Sequence, residues 1–163
     1  MKKFDSDPQD STPTRREFCV GACRAVSLAG LAVLMPGCGG GSPSGPSGNV
    51  PGLSVVSAPV SNGVATLTVD GSSPLNAVGG AALVQTTSGN LLVTRTAQDT
   101  FAAFTATCTH QACTITGFQD QLFVCPCHGS QFNTSGRPVS GPASRPLRQY
   151  TTAFAGSVLT IAV

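Results

Sequence analysis

The sequence predicts an all-β domain of sandwich or barrel type, built from short strands and many turns. Stretches of period-two alternation rich in β-branched residues recur between residues 64 and 163. No stretch after residue 40 holds a 3.6-residue apolar repeat over three turns. Composition agrees: 19 glycines, 12 prolines, no tryptophan and 10% charged residues favour a loop-rich β protein over a helical bundle. At 163 residues the chain has room for one domain with one modest core.

Residues 1–17 are polar and charged, and the pair Arg15-Arg16 stands just before Phe18. An apolar run follows from Val20, broken once by Arg24 and free of charge from Ala25 to Met35. A twin arginine ahead of a short apolar segment is the pattern of a twin-arginine export signal, here residues 1–37. The uncharged run is eleven residues long, whereas a spanning helix needs about 20. Phe18 to Met35, with Arg24 inside, could just span, so an uncleaved anchor stands as the alternative. Leu34-Met35-Pro36-Gly37-Cys38 resembles a bacterial lipoprotein cleavage box, with Met35 and Pro36 departing from the residues usual there. Removing the signal discards Cys19 and Cys23 and makes Cys38 a lipidation candidate, a diacylated thiol serving as a membrane tether. Residues 38–52 then read as a linker, because the Gly/Ser/Pro mixture from Gly39 to Gly52 cannot form a core.

The folded domain is expected over residues 53–163. Val64 to Val69 alternates as a strand, and Ala81 to Thr86 with Leu91 to Thr96 forms a hairpin around Thr87-Ser88-Gly89-Asn90. Ala102 to Thr107 and Gln121 to Val124 each lead into a cysteine-bearing loop. Leu147 to Phe154 and Ser157 to Val163 give a final hairpin around Ala155-Gly156. From Cys38 onward four arginines face three aspartates, with no lysine or glutamate. That balance offers no basic stripe, so nucleic acid is not expected as a partner.

Chemistry concentrates in two loops, Cys108-Thr109-His110-Gln111-Ala112-Cys113 and Cys125-Pro126-Cys127-His128-Gly129-Ser130. They hold both histidines and four of the seven cysteines. Thiolate and imidazole together suit zinc, copper or an iron–sulfur cluster rather than magnesium or calcium. Zinc would accept two cysteines and two histidines as a closed structural site. The spacing is not a finger's, however, and each loop carries a cysteine that such a site does not need. Spacing alone leaves Cys125 and Cys127 open as the donor from the second loop.

CTHxxC followed by CPCHGS resembles the signature of Rieske [2Fe–2S] proteins, of the disulfide-containing kind found in cytochrome bc complexes. The resemblance implies a β fold with a small cluster-binding subdomain formed by two loops, about residues 105–145, and one [2Fe–2S] cluster. By position it makes Cys108 and Cys125 ligands of one iron, His110 and His128 ligands of the other, and Cys113–Cys127 a disulfide. It also implies that the Ser130 hydroxyl donates to a bridging sulfide, which raises the potential. Phe132 stands where high-potential relatives carry a tyrosine, implying a potential below theirs. Gly141-Pro142-Ala143 resembles the proline loop covering the cluster. Gln111 replaces a leucine common in quinol-oxidising relatives, which leans toward a standalone exported protein. Arg137, Arg145 and Arg148 lie around the proline loop as a mildly basic rim to which no partner is assigned.

The functional expectation is a single-electron carrier at the outer face of the cytoplasmic membrane or in the periplasm, tethered through its N-terminus. Its partners would be a quinol or enzyme donor and a cytochrome-type acceptor. A subunit of a bc complex or of an arsenite-oxidase-like molybdoenzyme is the alternative. A zinc-stabilised binding module is the reading from a different class.

Overall fold

The structure is a computed structural model and describes residues 50–163. The candidate export signal, Cys38 and most of the linker lie outside the described residues. Thirteen strands make three sheets. The middle sheet has five: β1 (Ser54–Ser57), β4 (Ala81–Thr86), β5 (Gly89–Ala97), β6 (Thr100–Thr105) and β11 (Gln149–Tyr150), in the order β1-β4-β5-β6-β11. All its pairs are antiparallel except β1 with β4. On one side lies a sheet of β2 (Val60–Ser61), β3 (Val64–Thr68), β12 (Thr152–Ala155) and β13 (Val158–Ala162), ordered β12-β13-β3-β2. On the other lies a meander of β7 (Gly117–Gln119), β8 (Leu122–Val124), β9 (Gln131–Asn133) and β10 (Pro138–Ser140), ordered β10-β9-β8-β7. No α-helix occurs among the described residues, and none of their segments is a helix able to cross a membrane.

Being covered on both faces explains the sequence of the middle sheet. A strand buried on both sides reads as a continuous apolar run rather than as an alternation. Leu91, Leu92 and Val93 of β5 are all buried, as are Ala82, Leu83 and Val84 of β4. The pleat sends them to opposite cores. Ala82, Val84, Leu91 and Val93 meet Ala65, Leu67, Leu159 and Ile161 of the β3–β13 sheet. Leu83 and Leu92 join Phe104, Phe123, Phe132 and Ile115 beneath the cysteine loops. Phe104 and Phe123 meet edge to face at 6.4 Å between ring centres.

Two differences from the sequence expectation have physical causes. The stretch Leu147 to Phe154 is not one strand. It breaks at Thr151 into β11, which pairs with β6, and β12, which crosses to pair with β13. The structured chain also reaches back before Leu53. Phe118 donates its amide to Pro51 O at 3.0 Å, and Leu53 donates to Thr116 O at 2.7 Å. The other expected strands begin and end within about two residues of their expected positions, the usual scatter of such boundaries, whereas β1, β2, β7, β9 and β10 have no counterpart in the sequence expectation.

The end of the sandwich away from the cysteine loops is held by Arg95, 7% exposed on β5. Its guanidinium donates to the carbonyls of Asn76 and Gln98 and lies over the rings of Phe101 and Phe154 at 5.3 and 5.7 Å. Buried without a carboxylate, it is satisfied by carbonyl dipoles and ring faces, which dock the loop 70–80 onto the β5–β6 turn.

Candidate metal centre

β6 delivers the first cysteine loop and β8 the second, side by side above the Phe104–Phe123 core. The first is closed at its base by a bridge between Thr107 and Thr114 and by Ile115 donating to Ala106 O at 2.8 Å. Within it Cys108 donates its amide to Cys113 O at 2.8 Å. The second turns tightly. Cys125 donates to Ser130 O at 2.8 Å, and Gly129 donates back to Cys125 O at 3.0 Å. Gly129 sits at φ 70°, in the left-handed region where glycine has no Cβ to clash. A disulfide joins Cys113 to Cys127 and ties the two loops together.

The third wall is the proline loop after β10. Gly141, at φ 82°, lies so close to Ser130 that a Cβ there would meet Ser130 Cα at 2.6 Å and Ser130 N at 2.8 Å. The following turn lets Ala143 donate its amide to Ser130 Oγ at 3.1 Å. Thr109 Oγ1 donates to Arg145 O at 2.7 Å, fastening the first cysteine loop to the same segment. Ser130 is fully buried, and with its oxygen accepting from Ala143 its own proton remains free to donate elsewhere.

The four candidate donors come together as two pairs. Cys108 and Cys125 are free thiols, 4% and 1% exposed. They are neighbours, and the backbone amides of Cys127 and His128 lie near the Cys125 sulfur. Burial pushes the Cys125 thiol up from its ordinary value, and the neighbouring Cys108 adds to that, whereas the two amides oppose it. Beside the thiols the rings of His110 and His128 stand at right angles, 4.8 Å between centres. His128 is exposed, but His110 Nδ1 is buried without any hydrogen-bond partner. A buried ring nitrogen left unpaired is costly unless something occupies its lone pair.

This donor set suits a two-centre group better than a single ion. A sulfur pair and a nitrogen pair lie adjacent, and among the described residues no three Cys, His, Asp or Glu side chains gather around one point. Buried thiols, amides aimed at sulfur and an orphaned imidazole nitrogen all fit an iron–sulfur cluster with mixed ligation. The sequence reading missed the amides of Cys127 and His128 and the anchoring role of Thr109. Backbone donors leave no residue-type signal, and the partner of Thr109 is thirty-six positions away.

Comparison with known proteins defines the class. The Rieske [2Fe-2S] domain model matches residues 66–151, more than half of the 163-residue chain. The protein belongs to this family, and membership implies one [2Fe–2S] cluster. Its described part resembles the cyanobacterial plasma membrane Rieske protein PetC3 from Synechocystis PCC 6803, at 30% identity and a TM-score of 0.50. That likeness covers 60% of this chain and 99% of the other. The cytochrome b6-f complex iron-sulfur subunit of Chlorobaculum thiosulfatiphilum is 37% identical over 60 residues, 36% of this chain and 33% of the relative. The chloroplastic subunit of Pisum sativum is 52% identical over 42 residues, 25% and 18% of the two chains. The matched stretch thus spans a third or less of these curated relatives.

Proposed function

We propose that the protein is an exported single-electron carrier that takes electrons from a quinol or an enzyme and passes them to a cytochrome-type acceptor. In this reading Cys108 and Cys125 hold one iron of the cluster, and His110 and His128 hold the other. The observation that carries it is the pairing of two buried free thiols beside two imidazoles, one with its inner nitrogen unpartnered. When bound, the cluster supplies reversible one-electron chemistry at a potential raised above that of all-cysteine ferredoxins.

The chain's own residues tune and shield that chemistry. The amides of Cys127 and His128 direct positive dipoles at the Cys125 sulfur, and Ser130 keeps a proton to donate within the buried site. Phe132, fully buried with Cys108 and Cys125 in one apolar cluster, excludes water from the inner side but offers no hydroxyl. His128 is exposed and His110 partly so, which makes the imidazole edges the route for electrons to a partner.

Export rests on the twin arginine and the apolar run, and tethering on Cys38 or on an uncleaved anchor. The likeness to b6-f subunits supports a second reading, a subunit of a quinol-oxidising complex. The exposed Gln111 at the loop tip, polar where an apolar contact would serve docking on a quinone pocket, favours the standalone form. Metal analysis of the purified full chain tests the proposal. Iron and acid-labile sulfide in equal amounts support it, whereas zinc without sulfide would replace it with a structural binding module.

A further inference from the structure

Charge is sorted along the described part of the molecule. Its three carboxylates, Asp70, Asp99 and Asp120, all belong to the end remote from the cysteine loops. Asp99 lies in the β5–β6 turn, and β6 runs its whole length before reaching Thr107. Asp120 lies in the β7–β8 turn, with β8 between it and Cys125. Asp70 opens the loop whose Gly79 and Gly80 pair with Arg95 beside the Asp99 turn, and Gln121 next to Asp120 reaches Gly79 O at 3.2 Å. The fourth described cation, Arg95, is buried at this same end.

The three exposed arginines, Arg137, Arg145 and Arg148, instead belong to the segments beside Pro146–Leu147. Arg145 and Arg148 line a cleft of ≈ 590 Å³ together with Thr109 and His110. Arg137 lines the adjoining cleft across Pro146 and Leu147. Both clefts are open, and His110 is among the residues lining the first. Arg148 lies over the Tyr150 ring at 4.8 Å, and the backbone of Arg145 is fixed by Thr109. No carboxylate neutralises any of the three within ion-pair distance among the described residues.

We propose that this arginine-bordered face beside His110 is the docking surface for a redox protein with an acidic patch around its own cofactor. The inference rests on the electron-carrier reading and adds to it the chemistry of the partner. Separated charge of this kind orients an incoming acidic surface and raises the rate of encounter, and it repels a basic one. An acidic patch seated there would bring its cofactor to the exposed side of the imidazole pair.

One probe in two charge states provides the test: native, basic cytochrome c, and the same cytochrome with its lysines succinylated to make it acidic. Stopped-flow absorbance follows oxidation of the reduced, cluster-loaded full chain across a range of ionic strength. With the acidic form the second-order rate falls as salt rises, and it exceeds the basic form's rate at low salt. Arg145→Gln with Arg148→Gln lowers the acidic-probe rate roughly 3- to 10-fold at low salt, within the lower range of electrostatic steering. Asp99→Asn, an equal charge change at the far end, leaves that rate within about twofold, since a remote exposed charge is screened. Rates that ignore salt, or that favour the basic probe, overturn the proposal without reference to any variant. So does an unchanged rate in the double variant. A purified chain that shows no iron–sulfur absorption would instead overturn the electron-carrier reading itself.

Discussion

Replacing Gly141 with alanine tests how closely the proline loop is fitted onto the second cysteine loop. Two costs arise at that position and can be separated. The backbone sits at φ 82°, where an L-residue costs about 1–2 kcal/mol. The new methyl would also lie 2.6 Å from Ser130 Cα, 2.8 Å from Ser130 N and 2.9 Å from Gly129 O. Those are backbone atoms of a tight turn and cannot swing aside, so overpacking adds about 1–3 kcal/mol. Gly156 supplies the control. It has φ 63° and nothing within 4 Å of its would-be Cβ, so Gly156→Ala carries the conformational cost alone. Chemical denaturation of both variants should therefore show Gly141→Ala less stable than Gly156→Ala by about 1–3 kcal/mol. The loss should be accompanied by faster release of iron, because relief of the clash moves Ala143 away from Ser130 Oγ. Equal stability of the two variants, with equal iron retention, would refute the close seating of the loop.

Cys113→Ser or Cys127→Ser should lower unfolding stability by about 3 kcal/mol, the value for a closed loop of this length, and make the bound iron labile. Unchanged denaturation and iron retention would mean that the disulfide does not secure the loops. Phe132→Tyr should raise the midpoint potential by about 40 mV if its hydroxyl reaches a ligand sulfur, the equivalent of a net hydrogen bond of about 1 kcal/mol. A potentiometric titration showing no rise would place the ring edge away from the cluster. At Asp70, hydrogen bonds from the Ser72 hydroxyl and amide hold the carboxyl below its ordinary value. The small stability this gives is present above the unfolded-state pKa and is lost as pH falls through the lower folded-state value. An NMR titration should give Asp70 a midpoint below that of a free carboxylate, moving upward in Ser72→Ala. No movement would contradict the hydrogen-bond origin of the shift.

The sequence made some parts of this architecture plain and hid others for physical reasons. The β4–β5 hairpin and the β12–β13 hairpin were legible because their strands are long enough to show a pattern and glycines mark their reversals, Gly89 at the start of β5 and Gly156 in the β12–β13 turn. Of the meander under the metal centre only β8 was legible. Its strands have three residues each, too few for any periodicity, and they are held by the core around Phe123 and Phe132. The break at Thr151 was also hidden. Local preference is uniform across Leu147 to Phe154, and only the partners β6 and β13 decide which sheet each half joins. The parallel edge strand β1 depends wholly on a neighbour far along the chain. The site itself reads best, because its chemistry is written in residue types. The cysteine and histidine spacings identify the loops; the structure buries the free Cys108 and Cys125 thiols, sets the His110 and His128 rings 4.8 Å apart and joins Cys113 to Cys127. What the sequence could not convey was the surrounding backbone: the amides at Cys125, the Ala143 donor, and the sorting of charge between the two ends of the sandwich.

The central claim is that Cys108, Cys125, His110 and His128 together hold one mixed-ligand [2Fe–2S] cluster in this chain. Electron paramagnetic resonance of the chemically reduced full chain, with a redox titration on the same sample, tests it most directly. The account predicts a one-electron signal that depends on the histidines, and a potential above that of plant-type ferredoxins. The signal should disappear in His110→Ala and His128→Ala, which remove the nitrogen pair. An all-cysteine ferredoxin signal, or an unchanged spectrum in either histidine variant, would contradict it.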